Sequence, residues 1–237
     1  MPWERPESVT FPQVWTTFVA RDPDSGLNVK YRIEDIREDR FDEVLDLMAN
    51  VFLKDEVTCV SLDLINDPDF NGRNFWLEIL NKKISVICFK EGSDEICGFN
   101  LLEVLEKDVE EPEPEFKSKK VQDLLKVMNF VKAKADTYNR HGVDKFLHAM
   151  GLLVMPKYRG LGLATEILKA RVPLGKALGL QLTGTVFTGI GSQRTAAKAG
   201  FIEDYSVLYE DLKNKEPFVD FPNISTPKMK FMSLRLD

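Results

Sequence analysis

The fold is decided by one stretch of the sequence, Arg159-Gly160-Leu161-Gly162-Leu163-Ala164. It follows an almost wholly apolar run, Phe146 to Met155, which is typical of a central strand covered on both faces. It leads into apolar residues at helical spacing that continue to Leu178 and are interrupted by Pro173, where we expect a kink. A strand, a glycine loop and a helix in this order can bind pyrophosphate, because the free N–H groups at the helix start point at the anion.

Other glycine loops compete with this interpretation, and the spacing of small residues separates them. A dinucleotide-binding GxGxxG loop would need its third small residue at position 165, which is Thr165, and would open a unit near the start of a domain. A P-loop requires a Gly-Lys-Ser/Thr ending, which the sequence lacks. A tight strand-to-helix turn that binds nothing is the structural alternative.

The remaining periodicities predict an α/β fold around a mixed, mostly antiparallel sheet. A helix is expected after Asp39, ending near Lys54-Asp55-Glu56, and a second amphipathic helix is expected over Val121 to Ala135. A third, short helix is predicted over Ser192 to Ala199 and ends at Gly200. The predicted strands are Asn28 to Ile33, a hairpin of Ile84 to Phe89 with Ile96 to Val104, Leu182 to Phe187, Ile202 to Tyr209 and Met229 to Leu236.

The first 27 residues differ from the rest of the chain. They carry four prolines among Trp3, Phe11, Trp15 and Phe18, and we interpret them as an extended arm whose aromatic side chains dock on the body. Those side chains could instead reach an aryl group in a cleft. The predicted organisation is therefore an arm of residues 1–27 and one folded domain of residues 28–237.

Composition restricts the classes of protein that are possible. Of the 237 residues 43% are hydrophobic and 30% charged, which predicts a soluble, folded protein. A net charge of -6 has the wrong sign for broad nucleic-acid binding and suits a cationic partner. Three cysteines and two histidines without ligand spacing predict neither a disulfide framework nor a zinc site. With no signal-type or membrane-spanning stretch, we expect a cytosolic protein with no membrane partner.

Six carboxylates lie between Glu106 and Glu115, together with two prolines. Such a composition cannot bury itself, so it predicts a solvated loop. A plain linker is the ordinary interpretation, and an electrostatic funnel for a cationic substrate is the alternative.

The glycine loop resembles that of the GNAT superfamily of N-acetyltransferases, whose pattern is Arg/Gln-x-x-Gly-x-Gly/Ala. Leu152 to Pro156 is similar to the family's central strand, and Lys198-Ala199-Gly200-Phe201 is similar to its Lys-x-Gly-Phe segment. The resemblance implies a sheet whose central strand is splayed from its neighbour and flanked by helices. It also implies that acetyl-CoA is the co-substrate, bound by Leu152, Leu153, Val154, Arg159, Gly160, Leu161, Gly162, Leu163 and Ala164.

A narrower resemblance points to the general base. Phe52-Leu53-Lys54-Asp55-Glu56 is similar to a segment of insect arylalkylamine N-acetyltransferases, and it implies that Glu56 is the base. From the residues alone, the ordinary interpretation of Glu56 is a solvated carboxylate near a helix end. Two hydroxyl residues four apart in those enzymes correspond to Thr188 and Ser192.

Other candidate roles are less specific. Many superfamily members carry a Tyr where this chain has Ala196. Ser192 could donate a proton to the CoA sulfur, or it could be an ordinary helix N-cap. His148 could relay protons from Glu56 towards solvent, or it could be a buried, hydrogen-bonded structural histidine.

These residues imply acetyl-CoA-dependent acetylation of a small primary amine, an arylalkylamine or a polyamine, by direct transfer. Deprotonating an alkylammonium at pH 7 costs roughly 4 kcal/mol, and Glu56 would offset part of it. A backbone N–H near Leu153 or Val154 would stabilise the oxyanion. A non-catalytic acyl-CoA-binding module, favoured by Ala196, and a protein or peptide N-acetyltransferase are the alternatives.

Overall fold

The structure is a computed structural model, and it describes residues 3–109 and 116–236. Its centre is a sheet of eight strands in the order β1-β2-β3-β4-β5-β6-β8-β7. Neighbouring strands are antiparallel except β5 and β6, which are parallel. The strands are β1 (Val14–Arg21), β2 (Asn28–Asp35), β3 (Val86–Lys90), β4 (Ile96–Glu106), β5 (Lys145–Val154), β6 (Leu182–Phe187), β7 (Ile202–Leu208) and β8 (Lys228–Arg235).

Helices cover both faces of this sheet. They are α1 (Phe41–Asn50), α2 (Val57–Ser61), α3 (Arg73–Asn81), α4 (Lys119–Ala135), α5 (Thr137–His141), α6 (Leu163–Lys169), α7 (Arg171–Ala177), α8 (Ile190–Ala199) and α9 (Tyr209–Asn214). Side chains of a strand alternate between faces, so Ile87 packs with α1, α3 and the start of α4, while its neighbour Cys88 packs with α6 and α7. No helix within the described ranges is both long and apolar enough to cross a membrane.

The predicted fold class is confirmed. The sheet is mixed and mostly antiparallel, and β5 shares only one backbone pair with β6, Leu147 with Thr183. On its other side β5 pairs with β4 from Lys145 to Val154, with an irregularity between Leu101 and Leu102 of β4. The central strand is therefore bound along one edge and free along most of the other, which opens a cleft between β5 and β6.

Several boundaries differ from the sequence-based expectation. The first helix ends at Asn50, and the segment to Glu56 contains a 3-10 turn and the start of another helix instead. Pro173 lies in α7, and the helical run is broken just before α7, at Ala170. Ser192 is the third residue of α8, so the alternative that made it the N-cap is wrong, and Gly189 holds that position. Gly200 ends α8 with a φ of 100°, as predicted.

Part of the N-terminal segment belongs to the sheet. β1 is an edge strand paired with β2 over its whole length, a strand that the sequence analysis did not identify. Trp3, Trp15 and Phe18 are partly buried against the cluster that contains α6 and α7, so they pack as anchors. The division of the chain at residue 27 stays a prediction. Most of the acidic run, residues 110–115, lies outside the described residues.

Candidate active site

The open edge of β5, residues Leu152 to Val154, carries unpaired backbone groups. The N–H of Met155 donates to the carbonyl of Cys97 on β4, at 2.9 Å. Because successive residues of a strand point their N–H groups in opposite directions, Leu153 faces β4, and Leu152 and Val154 face the cleft. The guanidinium of Arg159 donates to the Val154 carbonyl at 3.0 Å, which agrees with that direction. Of the two residues expected to offer an N–H, the alternation favours Val154.

The glycine loop follows this edge and is shaped to hold an anion. Gly160 and Gly162 have φ values of 77° and 90°, a conformation that side-chain-bearing residues rarely adopt. A Cβ at either position would meet no atom within 4 Å, so the space above the loop is open. Within the described residues, none of the N–H groups from Gly160 to Ala164 donates to an acceptor. These donors and the start of α6 fit a pyrophosphate.

An ion pair connects this loop to the segment predicted to carry the base. The Arg159 guanidinium binds the Asp55 carboxylate, and both side chains are about two-fifths exposed, at 42% and 41%. Asp55 directly precedes Glu56 in the sequence. The structure therefore brings together two motifs that lie more than 100 residues apart.

Glu56 is the N-cap of α2, which the sequence did not indicate. Its Oε2 accepts hydrogen bonds from the backbone N–H groups of Thr58 and Cys59, at 3.0 and 2.8 Å, and from the Thr58 hydroxyl. Its Oε1 accepts a hydrogen bond from the Thr188 hydroxyl. Hydrogen-bond donors on both oxygens therefore orient the carboxylate. Glu56 is only partly buried, which leaves it accessible to solvent. Burial and the nearby Glu56 charge raise the pKa of the Cys59 thiol well above its usual range.

Thr188 directly follows β6 and is itself held in place by Tyr209. The Tyr209 hydroxyl donates to the Thr188 carbonyl at 2.9 Å, and the Tyr209 ring packs against Phe221. Burial raises the pKa of Tyr209 above its usual range, and the charge of Glu56 adds to the effect. Tyr209 therefore stays protonated as a donor throughout the physiological pH range.

Ser192 and Ala196 do not join this group of contacts. The Ser192 hydroxyl donates to the Gly189 carbonyl at 2.9 Å and receives a weak bond from the Gly189 N–H at 3.4 Å. Ala196 is fully buried in a cluster with Leu168, Phe187 and Phe201. Proton donation by Ser192 would require its hydroxyl to turn away from Gly189, and that role stays a prediction.

His148 lies inside the sheet, on β5. It is 4% exposed, and its Nδ1 donates to the Gly184 carbonyl of β6 at 3.0 Å. Burial lowers the pKa of His148 well below its usual range. This contact is the one expected of a buried, hydrogen-bonded structural histidine. The role of His148 as a proton relay stays a prediction.

The overall fold recurs in solved structures. A mosquito protein assigned as arylalkylamine N-acetyltransferase 7, from Aedes aegypti, is 40% identical to the chain, with a TM-score of 0.95. The match covers 99% of this chain and 100% of the mosquito protein. The chain belongs to the arylalkylamine N-acetyltransferase-like group of GNAT enzymes. As a member of that group it is an N-acetyltransferase.

More distant structures share the fold. Arylalkylamine N-acetyltransferase 2 of Aedes aegypti is 23% identical, with a TM-score of 0.76 over 87% of this chain and 99% of the other. A polyamine N-acetyltransferase of Drosophila melanogaster, which catalyses the formation of N-acetylagmatine, is 17% identical, with a TM-score of 0.72 over 87% of this chain and all of the other. No protein-family model and no curated protein sequence matched the chain.

Some residues of the site were missed or left without a role in the sequence analysis. Asp55 was noticed only as a neighbour of Glu56, and Tyr209 was noticed only as the end of a predicted strand. Thr183 and Thr185 on β6 were not considered, although they alternate around Gly184 in a predicted strand next to the cleft. Two threonines on one side of a strand that borders a splayed neighbour are the signal that could have identified them.

Proposed function

We propose that this enzyme transfers the acetyl group of acetyl-CoA directly to the primary amine of a small cation, with Glu56 as the general base. One observation supports the proposal: the segments that follow β5 and β6 bring the candidate pyrophosphate site and the candidate base together. The glycine loop follows β5, and Thr188 follows β6. The Asp55 carboxylate binds Arg159 of the loop, and the Glu56 carboxylate binds Thr188. Because β5 and β6 are parallel, both ends lie at the same edge of the sheet.

The residues present fit acetyl-CoA. Gly160 and Gly162 have positive φ values and open space beside them, and the N–H groups of Gly160 to Ala164 are free to bind the pyrophosphate. Arg159, Leu161 and Leu163 complete the loop. The open edge of β5 would pair with the amides of the pantetheine arm as another strand would. When bound, acetyl-CoA supplies the acyl group as an activated thioester. The N–H of Leu152 or Val154 can then stabilise negative charge on the thioester oxygen.

Glu56 is prepared to accept a proton from the amine. Only a neutral amine can attack a thioester, and an alkylammonium has a pKa near 10.4, the value of Lys. Donors on both carboxylate oxygens fix the orientation of Glu56. A fixed carboxylate at the cleft mouth can take the proton directly or through one water molecule. Partial exposure lets it return that proton to solvent.

The acceptor is either an arylalkylamine or a polyamine. A net charge of -6 and two carboxylates at the cleft mouth favour a cation of either kind. Solved structures of both enzyme types share the fold, which leaves the choice between them to experiment.

An amine panel tests the proposal. The protein is mixed with acetyl-CoA and tyramine, tryptamine, agmatine, spermidine or a peptide with a free N-terminus, and thiol release is recorded. Turnover of small amines that is lost in Glu56→Gln supports the proposal. Binding of CoA without turnover of any amine would identify a non-catalytic acyl-CoA-binding module, and turnover of the peptide alone would identify a peptide acetyltransferase.

A further inference from the structure

Three hydrogen bonds lie where the cleft between β5 and β6 begins. In each, a side chain of one strand donates to a backbone carbonyl of the other strand. The Thr183 hydroxyl donates to the Leu147 carbonyl at 2.9 Å, and the Thr185 hydroxyl donates to the Ala149 carbonyl at 2.8 Å. Between them, Nδ1 of His148 donates to the Gly184 carbonyl at 3.0 Å. We call these three side chains, Thr183, His148 and Thr185, the spacer seam.

The spacer seam lies in the interior of the protein. Thr183 is fully buried, and His148 and Thr185 are 4% and 5% exposed. Buried carbonyls need a hydrogen-bond donor, and in an ordinary sheet the neighbouring strand supplies a backbone N–H. Beyond the single pair of Leu147 with Thr183, side chains supply the donors to Ala149 and Gly184.

A side-chain donor changes the spacing of the strands. Strands joined by backbone hydrogen bonds lie about 4.8 Å apart, which leaves no room between them. A hydroxyl or imidazole placed between two backbones adds atoms to the bridge, so the strands stand farther apart while the buried carbonyls remain satisfied. The open edge of β5, Leu152 to Val154, begins three residues after Ala149, the last residue that the spacer seam holds.

We propose that the spacer seam sets the opening of the cleft that receives the acyl-pantetheine arm, which makes Thr185 and His148 positioning residues for acyl-CoA. This inference rests on the proposed function, because it concerns the same cleft. The seam fixes Ala149, and through β5 it fixes the direction of the N–H groups of Leu152 and Val154, which follow about 10 to 17 Å along the strand. The glycine loop lies beyond that edge, where the ion pair of Arg159 with Asp55 gives it an additional anchor outside the sheet.

The separation of the two parts permits a sharp test. Isothermal titration calorimetry measures the affinity of each variant for CoA and for its nucleotide half, adenosine 3′-phosphate 5′-diphosphate, which lacks the pantetheine arm. In Thr185→Val the side chain keeps its shape and loses its donor. We expect its affinity for CoA to fall about tenfold, as for one lost hydrogen bond in a buried site, and its affinity for the nucleotide to stay unchanged.

Two further variants control for general destabilisation. Thr226→Val removes another buried hydroxyl, one that has no hydrogen-bond partner within the described residues, and should leave CoA affinity unchanged. Thr185→Ser restores the donor and should restore CoA affinity. Wild-type affinity for CoA in Thr185→Val, or an equal loss in Thr185→Ser, would overturn the proposal, as would an equal loss for CoA and for the nucleotide.

His148 separates positioning from proton transfer. In His148→Asn an amide N–H can take the place of Nδ1–H, whereas His148→Leu offers no donor. The spacer seam predicts that Asn keeps CoA affinity and kcat and that Leu loses CoA affinity. A proton relay predicts instead that both variants lose kcat and keep CoA affinity, which would contradict the proposal for His148.

The outcomes also distinguish this inference from the proposed function. A wild-type protein that binds no CoA would overturn both. A wild-type protein that acetylates amines, with Thr185→Val and His148→Leu binding CoA equally well, would overturn the spacer seam alone.

Discussion

Replacing Glu56 should separate two roles that one carboxylate fills. As the N-cap of α2 it satisfies the N–H groups of Thr58 and Cys59, and as the proposed base it accepts a proton from the amine. Glu56→Ala removes both roles. Glu56→Gln keeps an oxygen that can accept from the helix and removes the basic carboxylate, so the pair of variants divides stability from catalysis.

The magnitudes follow from these contacts. Loss of an N-cap costs about 1 kcal/mol, which lowers the Tm of a chain of this size by about 2–4 °C. Loss of a general base lowers kcat by about 100-fold or more, which corresponds to about 2.7 kcal/mol. We therefore expect both variants to lose at least that much activity at pH 7, and Glu56→Ala to lose the larger part of the stability.

The assay is thiol release at saturating acetyl-CoA and amine, at pH 7 and pH 10. The fraction of neutral alkylamine rises by about several hundredfold over this interval, so both variants should regain part of their rate relative to the wild type at pH 10. Ser118→Ala is the matched control, because Ser118 caps α4 through the N–H of Val121 and should cost similar stability with no loss of kcat. A Glu56→Gln enzyme with wild-type kcat at pH 7 would refute the assignment of the base.

Three further predictions test other parts of the site. Gly162→Val should abolish CoA binding in a folded protein, because position 162 needs a positive φ; unchanged affinity in calorimetry would exclude the pyrophosphate role. Tyr209→Phe should lower kcat about tenfold by freeing the Thr188 carbonyl, while Tyr205→Phe, a control on the preceding strand β7, should not. Burial lowers the pKa of His148, so its contribution to the free energy of unfolding is complete above about pH 6.5 and is lost at up to about 1.4 kcal/mol per unit as the pH falls below it. Urea unfolding at pH 7, 6 and 5 should show a smaller loss for His148→Asn.

Local signals in the sequence were sufficient for the core of the fold. Each of these signals predicts local structure: the apolar run predicts β5, the glycines predict the loop after it, and the periodic apolar residues predict the helical segment of α6 and α7. The order of these elements was predicted correctly. Gly160 and Gly162 could be identified because a positive φ is a local property that the residue type reveals. The hairpin of β3 and β4 was predictable for the same reason, since alternation and a turn are close together in the chain.

The contacts that assemble the site are not local. Thr188 reaches Glu56 across 132 positions, and Arg159 reaches Asp55 across 104. Contacts between residues so far apart in the sequence cannot be predicted from periodicity or composition. Glu is also not among the preferred N-cap residues, so the start of α2 at Glu56 had no sequence signal. The edge strand β1 was hidden for a related reason, because Pro12 and Pro23 flank it and the segment resembles a loop until β2 is beside it.

The position of Glu56 also bears on how the enzyme returns its proton. A relay is needed only when the base is sealed from water, and Glu56 is partly exposed at the mouth of the cleft. Protonating His148 would place a charge inside the sheet, where burial already lowers its pKa well below the usual range. The neutral ring, by contrast, supplies the Nδ1–H that the Gly184 carbonyl accepts. Direct exchange between Glu56 and solvent therefore requires no buried charge, and it leaves His148 in the one protonation state that its place between β5 and β6 requires.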